Sequence, residues 1–160
     1  MNTAAKIIDG ATGRQWVQEW QAEGHEIVFT NGCFDILHLG HVDYLEKARN
    51  LGGRLVLGLN TDASISRLKG PERPMVAENA RARVMAALAF VDAVILFAED
   101  TPLELIQTIR PDILVKGDDY AVDNIVGADF VLEHGGRVET IPLVPGFSTS
   151  NLIQKIRQQP

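Results

Sequence analysis

The chain is poor in the features that most quickly narrow a protein's role. Only one cysteine, Cys33, occurs among its 160 residues. No internal disulfide and no Cys-x-x-Cys zinc or redox motif can form, so stability must come from packing. No apolar run approaches the roughly 20 residues needed to cross a bilayer, and the N-terminus lacks a basic segment followed by an apolar stretch. No membrane association is expected, and the chain reads as cytoplasmic. Basic residues are outnumbered, 15 Lys and Arg against 21 Asp and Glu, for a net charge of -6. That balance opposes nucleic-acid binding, which needs a clustered basic surface to displace counterions, but leaves room for a local basic pocket. Neither a Gly-x-x-x-x-Gly-Lys-Ser/Thr loop nor a Gly-x-Gly-x-x-Gly fingerprint is present, so Walker-type phosphate binding and ordinary dinucleotide binding are disfavoured.

What is present fits one compact domain: the length is 160 residues and 46% of them are hydrophobic. Neither repeat nor linker divides it, so residues 1–160 read as one unit, with an N-terminal extension and helix over 1–24, an α/β core over 25–147 and a C-terminal helix over 148–160. Short β-branched runs alternate with stretches of helical spacing. Strands are expected at 26–30, 54–60, 92–97, 112–115 and 137–143. Helices are expected around Trp16, Val17 and Trp20, from near His41 with Leu45, Ala48 and Leu51 inward, and over 77–91 with Ala80, Val84, Ala87, Leu88 and Val91 as the apolar side. Thr101-Pro102-Leu103-Glu104 reads as a capping box opening a helix to about Arg110. The implied fold is Rossmann-like α/β: an open, mainly parallel, five-stranded sheet with helices on both faces. Such sheets bind ligands beyond the carboxyl ends of their strands, where strand order reverses.

At that edge lies Thr30-Asn31-Gly32-Cys33-Phe34-Asp35-Ile36-Leu37-His38-Leu39-Gly40-His41. Gly40 would let a nucleotide approach the backbone, the following helix offers unpaired N–H groups to phosphate, and His38 and His41 can donate to phosphoryl oxygens. Fixed donors of this kind suit nucleotidyl transfer, which needs no side-chain nucleophile. The bland alternatives are that the two histidines pack or cap the helix, or bind zinc. Zinc needs three or four ligands, and His25 and His134 lie in other elements, so no resident metal is expected. Cys33 reads as a small residue of the ligand loop rather than a nucleophile. Lys69, Arg73, Arg81 and Arg83 form the densest positive group, and Lys116-Gly117-Asp118-Asp119-Tyr120 follows a strand end bordering the same crevice.

Gly32-Cys33-Phe34-Asp35 together with His38-Leu39-Gly40-His41 resembles the cytidylyltransferase-like branch of the HxGH nucleotidyltransferases, and within it the bacterial D-glycero-β-D-manno-heptose 1-phosphate adenylyltransferases. The likeness runs from about Ile27 to Arg157 and includes Gly58-Leu59-Asn60-Thr61-Asp62, Lys69-Gly70, Arg73-Pro74, Asn79-Ala80-Arg81, Asp112 to Gly117 and Ser148-Thr149-Ser150-Asn151. It implies His38, His41 and Lys69 as catalytic residues. It implies nucleotide binding by Asn31, Gly32, Cys33, Phe34, Gly40, Lys116, Gly117, Asp119, Ser148, Thr149 and Ser150, and acceptor binding by Asp35, Asn60, Arg73 and Arg81. ATP with Mg²⁺ would be the donor and a phosphorylated sugar the acceptor. Related enzymes commonly form dimers, so a homodimer is compatible with the resemblance. They occur alone or fused to a sugar kinase; at this length a separate kinase and phosphatase are expected to supply the sugar. Two readings stay open: a CTP-dependent transferase acting on glycerol 3-phosphate or another alcohol phosphate, and a non-catalytic nucleotide-binding regulator.

Overall fold

The computed structural model describes residues 2–119 and 121–159, and the backbone alone of residue 123; Tyr120 of the Lys116 turn lies outside the described residues. The order is a 3-10 turn at Thr3–Lys6, β1 (Ile7–Ile8), α1 (Gly10–Ala22), β2 (Ile27–Gly32), α2 (Leu39–Arg49), β3 (Arg54–Asn60), α3 (Asp62–Lys69), α4 (Glu78–Ala87), β4 (Ala93–Phe97), α5 (Leu103–Ile109), β5 (Ile113–Gly117), a second 3-10 turn at Val122–Asn124, α6 (Ala128–Glu133), β6 (Arg137–Ile141) and α7 (Thr149–Arg157). All pairings are parallel, in the order β1-β4-β3-β2-β5-β6.

The sheet buries both faces, because alternate side chains of each strand enter different cores. Val28, Leu55 and Leu57 meet Leu45 and Ala48 of α2 and Ala82, Met85 and Ala86 of α4. Ile27, Phe29 and Val56 meet Val17 of α1, Ile106 and Ile109 of α5 and Val131 of α6. The expected α/β sheet is therefore present, with six strands rather than five. The addition is the edge strand β1, whose two residues pair with β4 and are too few to show a period.

Three local expectations are corrected. Thr101 does not cap α5: Pro102, buried at φ -79° and ψ 8°, holds the cap position without a side-chain hydrogen bond. Helix α4 ends at Ala87, four residues early, and its buried stripe is Arg81, Ala82, Met85 and Ala86, whereas Val84 is exposed. The hydrogen bonds of Arg81 described below turn that polar residue inward and rotate the helix about its axis. Helix α2 starts at Leu39, two residues before the expected start.

The strand order places the topological switch at β2, which has β3 on one side and β5 on the other. Chain leaving β2 and chain leaving β5 therefore diverge, and a crevice opens between Asn31 and Lys116.

Candidate active site

A cavity of about 330 Å³ occupies this crevice, lined by Asn31 from the end of β2, Lys116 and Gly117 from the end of β5, Lys69 at the end of α3, and Ser148, Thr149 and Ser150 at the start of α7. The loop after β2 supplies Phe34, His38, Gly40 and His41. Phe34 and Ile36 adopt φ of 44° and 57°, a region that costs non-glycine residues energy and is especially unfavourable for β-branched isoleucine. Their neighbour Asp35 holds the bend. Its carboxylate, 0% exposed, accepts from Arg73 Nε at 2.9 Å, Met75 N at 2.8 Å and Val76 N at 2.9 Å.

His38 takes the N-cap position of α2, and its ring stacks on His41 with centroids 3.7 Å apart and an interplanar angle of 22°. Phe34 meets the edge of the His41 ring at 5.1 Å. A Cβ on residue 40 would lie 3.0 Å from His38 Cε1 and 3.3 Å from Phe147 Cβ, so glycine there also serves the packing of the histidine ring. Capping cannot account for His38, whose side chain makes no cap hydrogen bond. Both Nδ1 atoms are buried without a hydrogen-bond partner among the described residues. Burial, followed by the charges of His38 and Lys69 and opposed by Asp35, pushes His41 down to about 4. Burial also lowers His38. At neutral pH the stack is thus an uncharged pair, able to offer N–H donors without repelling the lysines around it.

Lys116 donates from Nζ to Asn31 Oδ1, which fixes it at the floor of the crevice. Its burial lowers its pKa to about 8, against the opposing pull of Asp119 and Cys33. Ser148 caps α7 by accepting from Asn151 N at 3.1 Å, which leaves its own O–H free to donate into the cavity. Thr149 spends its hydroxyl proton on the Asp35 carbonyl at 2.6 Å, tying the start of α7 to the loop after β2.

The structure thus brings twelve of the expected residues to one cavity: Asn31, Phe34, His38, Gly40, His41, Lys69, Lys116, Gly117, Asp119, Ser148, Thr149 and Ser150. Arg73 borders a neighbouring cavity. Gly32 and Cys33 are not among the lining residues: a Cβ on residue 32 would meet Phe34 Cε2 at 2.9 Å, and the Cys33 carbonyl accepts from Arg81. Burial raises the Cys33 thiol, against the charges of Lys69, Arg81 and Arg73, so it stays protonated and a poor nucleophile at neutral pH.

Of the residues expected to bind the acceptor, Asp35, Asn60 and Arg81 each have hydrogen-bond partners within the protein. Asp35 is committed to the three donors above. Asn60 is buried and donates to Ser64 Oγ at 3.0 Å. Arg81 donates to the carbonyls of Val76, Cys33 and Asn60 and to Asp62 Oδ1. Charge or polarity suggests a ligand contact for each, and in the fold each also bonds backbone or side-chain groups of the protein. Asp118 likewise joins strand ends, accepting from Leu143 N at 3.3 Å.

Sequence reasoning missed Tyr44, Leu143, Val144 and Phe147, which complete the lining. Tyr44 sits one turn after His41, a spacing that marks the same helix face, and shares a 2.7 Å hydrogen bond with Thr30. Phe147 immediately precedes the Ser148 cap, so its placement was readable too.

Comparison with known proteins agrees with this geometry. The cytidylyltransferase-like family model matches residues 29–154. The bifunctional protein HldE of Magnetococcus marinus is 61% identical over 154 residues, covering 96% of this chain and 32% of that protein. HldE of Methylobacillus flagellatus is 63% identical over 140 residues, covering 88% of this chain and 29% of that protein. The chain therefore spans about a third of the length of these relatives. Among solved structures, the lipopolysaccharide core biosynthesis protein from Thermoplasma volcanium superposes with a TM-score of 0.61 at 31% identity, covering 76% of this chain and 98% of that one. Pantothenate synthetase from Thermus thermophilus, at 17% identity and a TM-score of 0.58, covers 92% of this chain and 67% of that one and is a likeness of fold.

Proposed function

We propose that this chain, which belongs to the cytidylyltransferase-like family, transfers AMP from MgATP to D-glycero-β-D-manno-heptose 1-phosphate, releasing pyrophosphate and forming ADP-heptose for lipopolysaccharide or capsule synthesis. The observation that carries the reading is the neutral His38–His41 stack facing the same 330 Å³ cavity as Lys69, Lys116 and Ser148. An oxygen of the acceptor phosphate forms the new bond to the α-phosphorus, the bond from that phosphorus to the bridging oxygen breaks, and pyrophosphate leaves with the electron pair. His38 and His41 donate to the phosphate oxygens, Lys69 and Lys116 balance their charge, and the Ser148 hydroxyl with the first N–H groups of α7 holds the tail. Mg²⁺ would enter with ATP as part of the donor substrate, as the resemblance in sequence implies.

The choice of ATP and heptose phosphate is supported by the resemblance in sequence and by relatives at 61% and 63% identity. A panel of ATP and CTP against heptose 1-phosphate and glycerol 3-phosphate, read as pyrophosphate release, tests it. Release from ATP with the heptose phosphate is expected; release from CTP with glycerol phosphate instead would replace both substrates. The same resemblance supports a place downstream of a sugar kinase and a phosphatase. No described helix is long and apolar enough to cross a membrane.

Lys116 sets an alkaline limit. Its pKa of about 8 means that the charged, phosphate-binding form is present below that pH and lost above it. The kcat/KM for ATP, which reports groups of the free enzyme, should fall roughly tenfold per pH unit beyond about 8. Lys116→Arg should remove this limb, because a guanidinium stays charged. A limb unchanged in Lys116→Arg would show that another group sets it.

A further inference from the structure

A second cavity, of about 590 Å³, opens beside the first and shares Lys69 and Ser150 with it. It lies between the loop following α3 and the outer face of α7, and its wall has a different chemistry. The first cavity carries Phe34, Phe147, Tyr44 and two histidines; the second has no aromatic lining and presents Glu72, Arg73, Gln154 and Arg157. Carboxylate, amide and guanidinium groups together offer donors and acceptors in several directions, as a polyhydroxylated ligand requires.

Arg73 is prepared for such a ligand. Its Nε is fixed at 2.9 Å on the fully buried Asp35 carboxylate, and its two terminal amines make no hydrogen bond to the described residues. Glu72 and Arg157 form a 3.0 Å ion pair across the outer rim. Both are largely exposed, and such pairs contribute little to stability, so this rim can rearrange around a ligand.

In-line attack adds direction. With the triphosphate held by the histidines and the start of α7, an acceptor phosphate reaching the α-phosphorus beside Lys69 must point its carbon skeleton away from the nucleotide. The second cavity adjoins the first at Lys69 and Ser150 and offers space for that skeleton. We propose that this cavity is the specificity site for the acceptor's sugar body, with Arg73, Gln154 and Arg157 binding its hydroxyls. The proposal rests on the nucleotidyltransferase reading of the first cavity.

The test uses the full chain, steady-state kinetics with heptose 1-phosphate and ATP, and two substitutions on the exposed face of α7. Gln154→Trp, which fills the cavity, and Arg157→Ala, which opens its rim, should each raise the acceptor KM, the first by about tenfold or more, equivalent to roughly 1.4 kcal/mol. The KM for ATP should change less than about twofold, and ATP binding measured by calorimetry should persist in both. An acceptor KM unchanged in both variants, or a KM for ATP that rises in step with it, would overturn the cavity assignment alone. A wild-type protein that releases no pyrophosphate with any sugar phosphate would overturn the functional reading, and this inference with it.

Discussion

His41→Ala is expected to lower turnover by at least roughly a hundredfold, the cost of removing one preorganised donor from a site where charge develops. The ring it removes is uncharged at neutral pH, its pKa held at about 4 chiefly by burial, so what is lost is a directed hydrogen bond rather than a net positive charge. His38→Ala should cost a similar factor. Because the rings stack at 3.7 Å and line the same cavity, the double variant should lose less than the product of the two single losses. The measurement is kcat at saturating ATP and acceptor, with nucleotide affinity determined separately by calorimetry. Affinity should fall by less than about tenfold, since Lys69, Lys116 and the Ser148 segment remain. If His41→Ala left turnover intact, the histidines would be packing residues; if the wild type bound nucleotide without turnover, the chain would be a regulator.

Arg81→Ala should destabilise the fold by about 3–5 kcal/mol, the range for removing one partner of a buried charged network. The side chain is 1% exposed and reaches Val76, Cys33, Asn60 and Asp62 from helix α4. Truncation leaves three backbone carbonyls without their donor and a void between the loop after β2 and the loop before α4. Arg81→Lys should lose most of the same stability, because one ammonium cannot span acceptors spread around a planar fork. Urea unfolding at neutral pH is the check, with the midpoint shifting and the slope unchanged. A loss below about 1 kcal/mol would mean that these carbonyls find other donors.

Arg81 also shows where the sequence stops being legible. Strands β2 to β6 could be read because β-branched runs mark buried parallel strands, and the crevice followed from their alternation with helices. Strand β1 could not, because two residues carry no period. Helix α3 was passed over because its segment is polar, although Thr61 signals its start by accepting from Ser64 N. Pro102 defeated a capping box that looked complete, since burial of the proline decided where α5 begins. At the site, residues contributed by a strand end or helix start were legible, because those positions face the crevice whatever the rest of the fold does. The internal partners of Asp35, Asn60 and Arg81 were not: a sequence shows which residues can bond, and only the folded chain shows which groups reach them.

Direct nucleotidyl transfer by positioned donors forms no covalent intermediate on the protein. The stereochemistry at phosphorus tests it most directly. With one diastereomer of an ATP analogue carrying sulfur on the α-phosphate and heptose 1-phosphate as acceptor, a single in-line displacement predicts inversion at the α-phosphorus of the sugar nucleotide. Retention would demand two successive displacements and a side-chain nucleophile, and would rule out direct transfer.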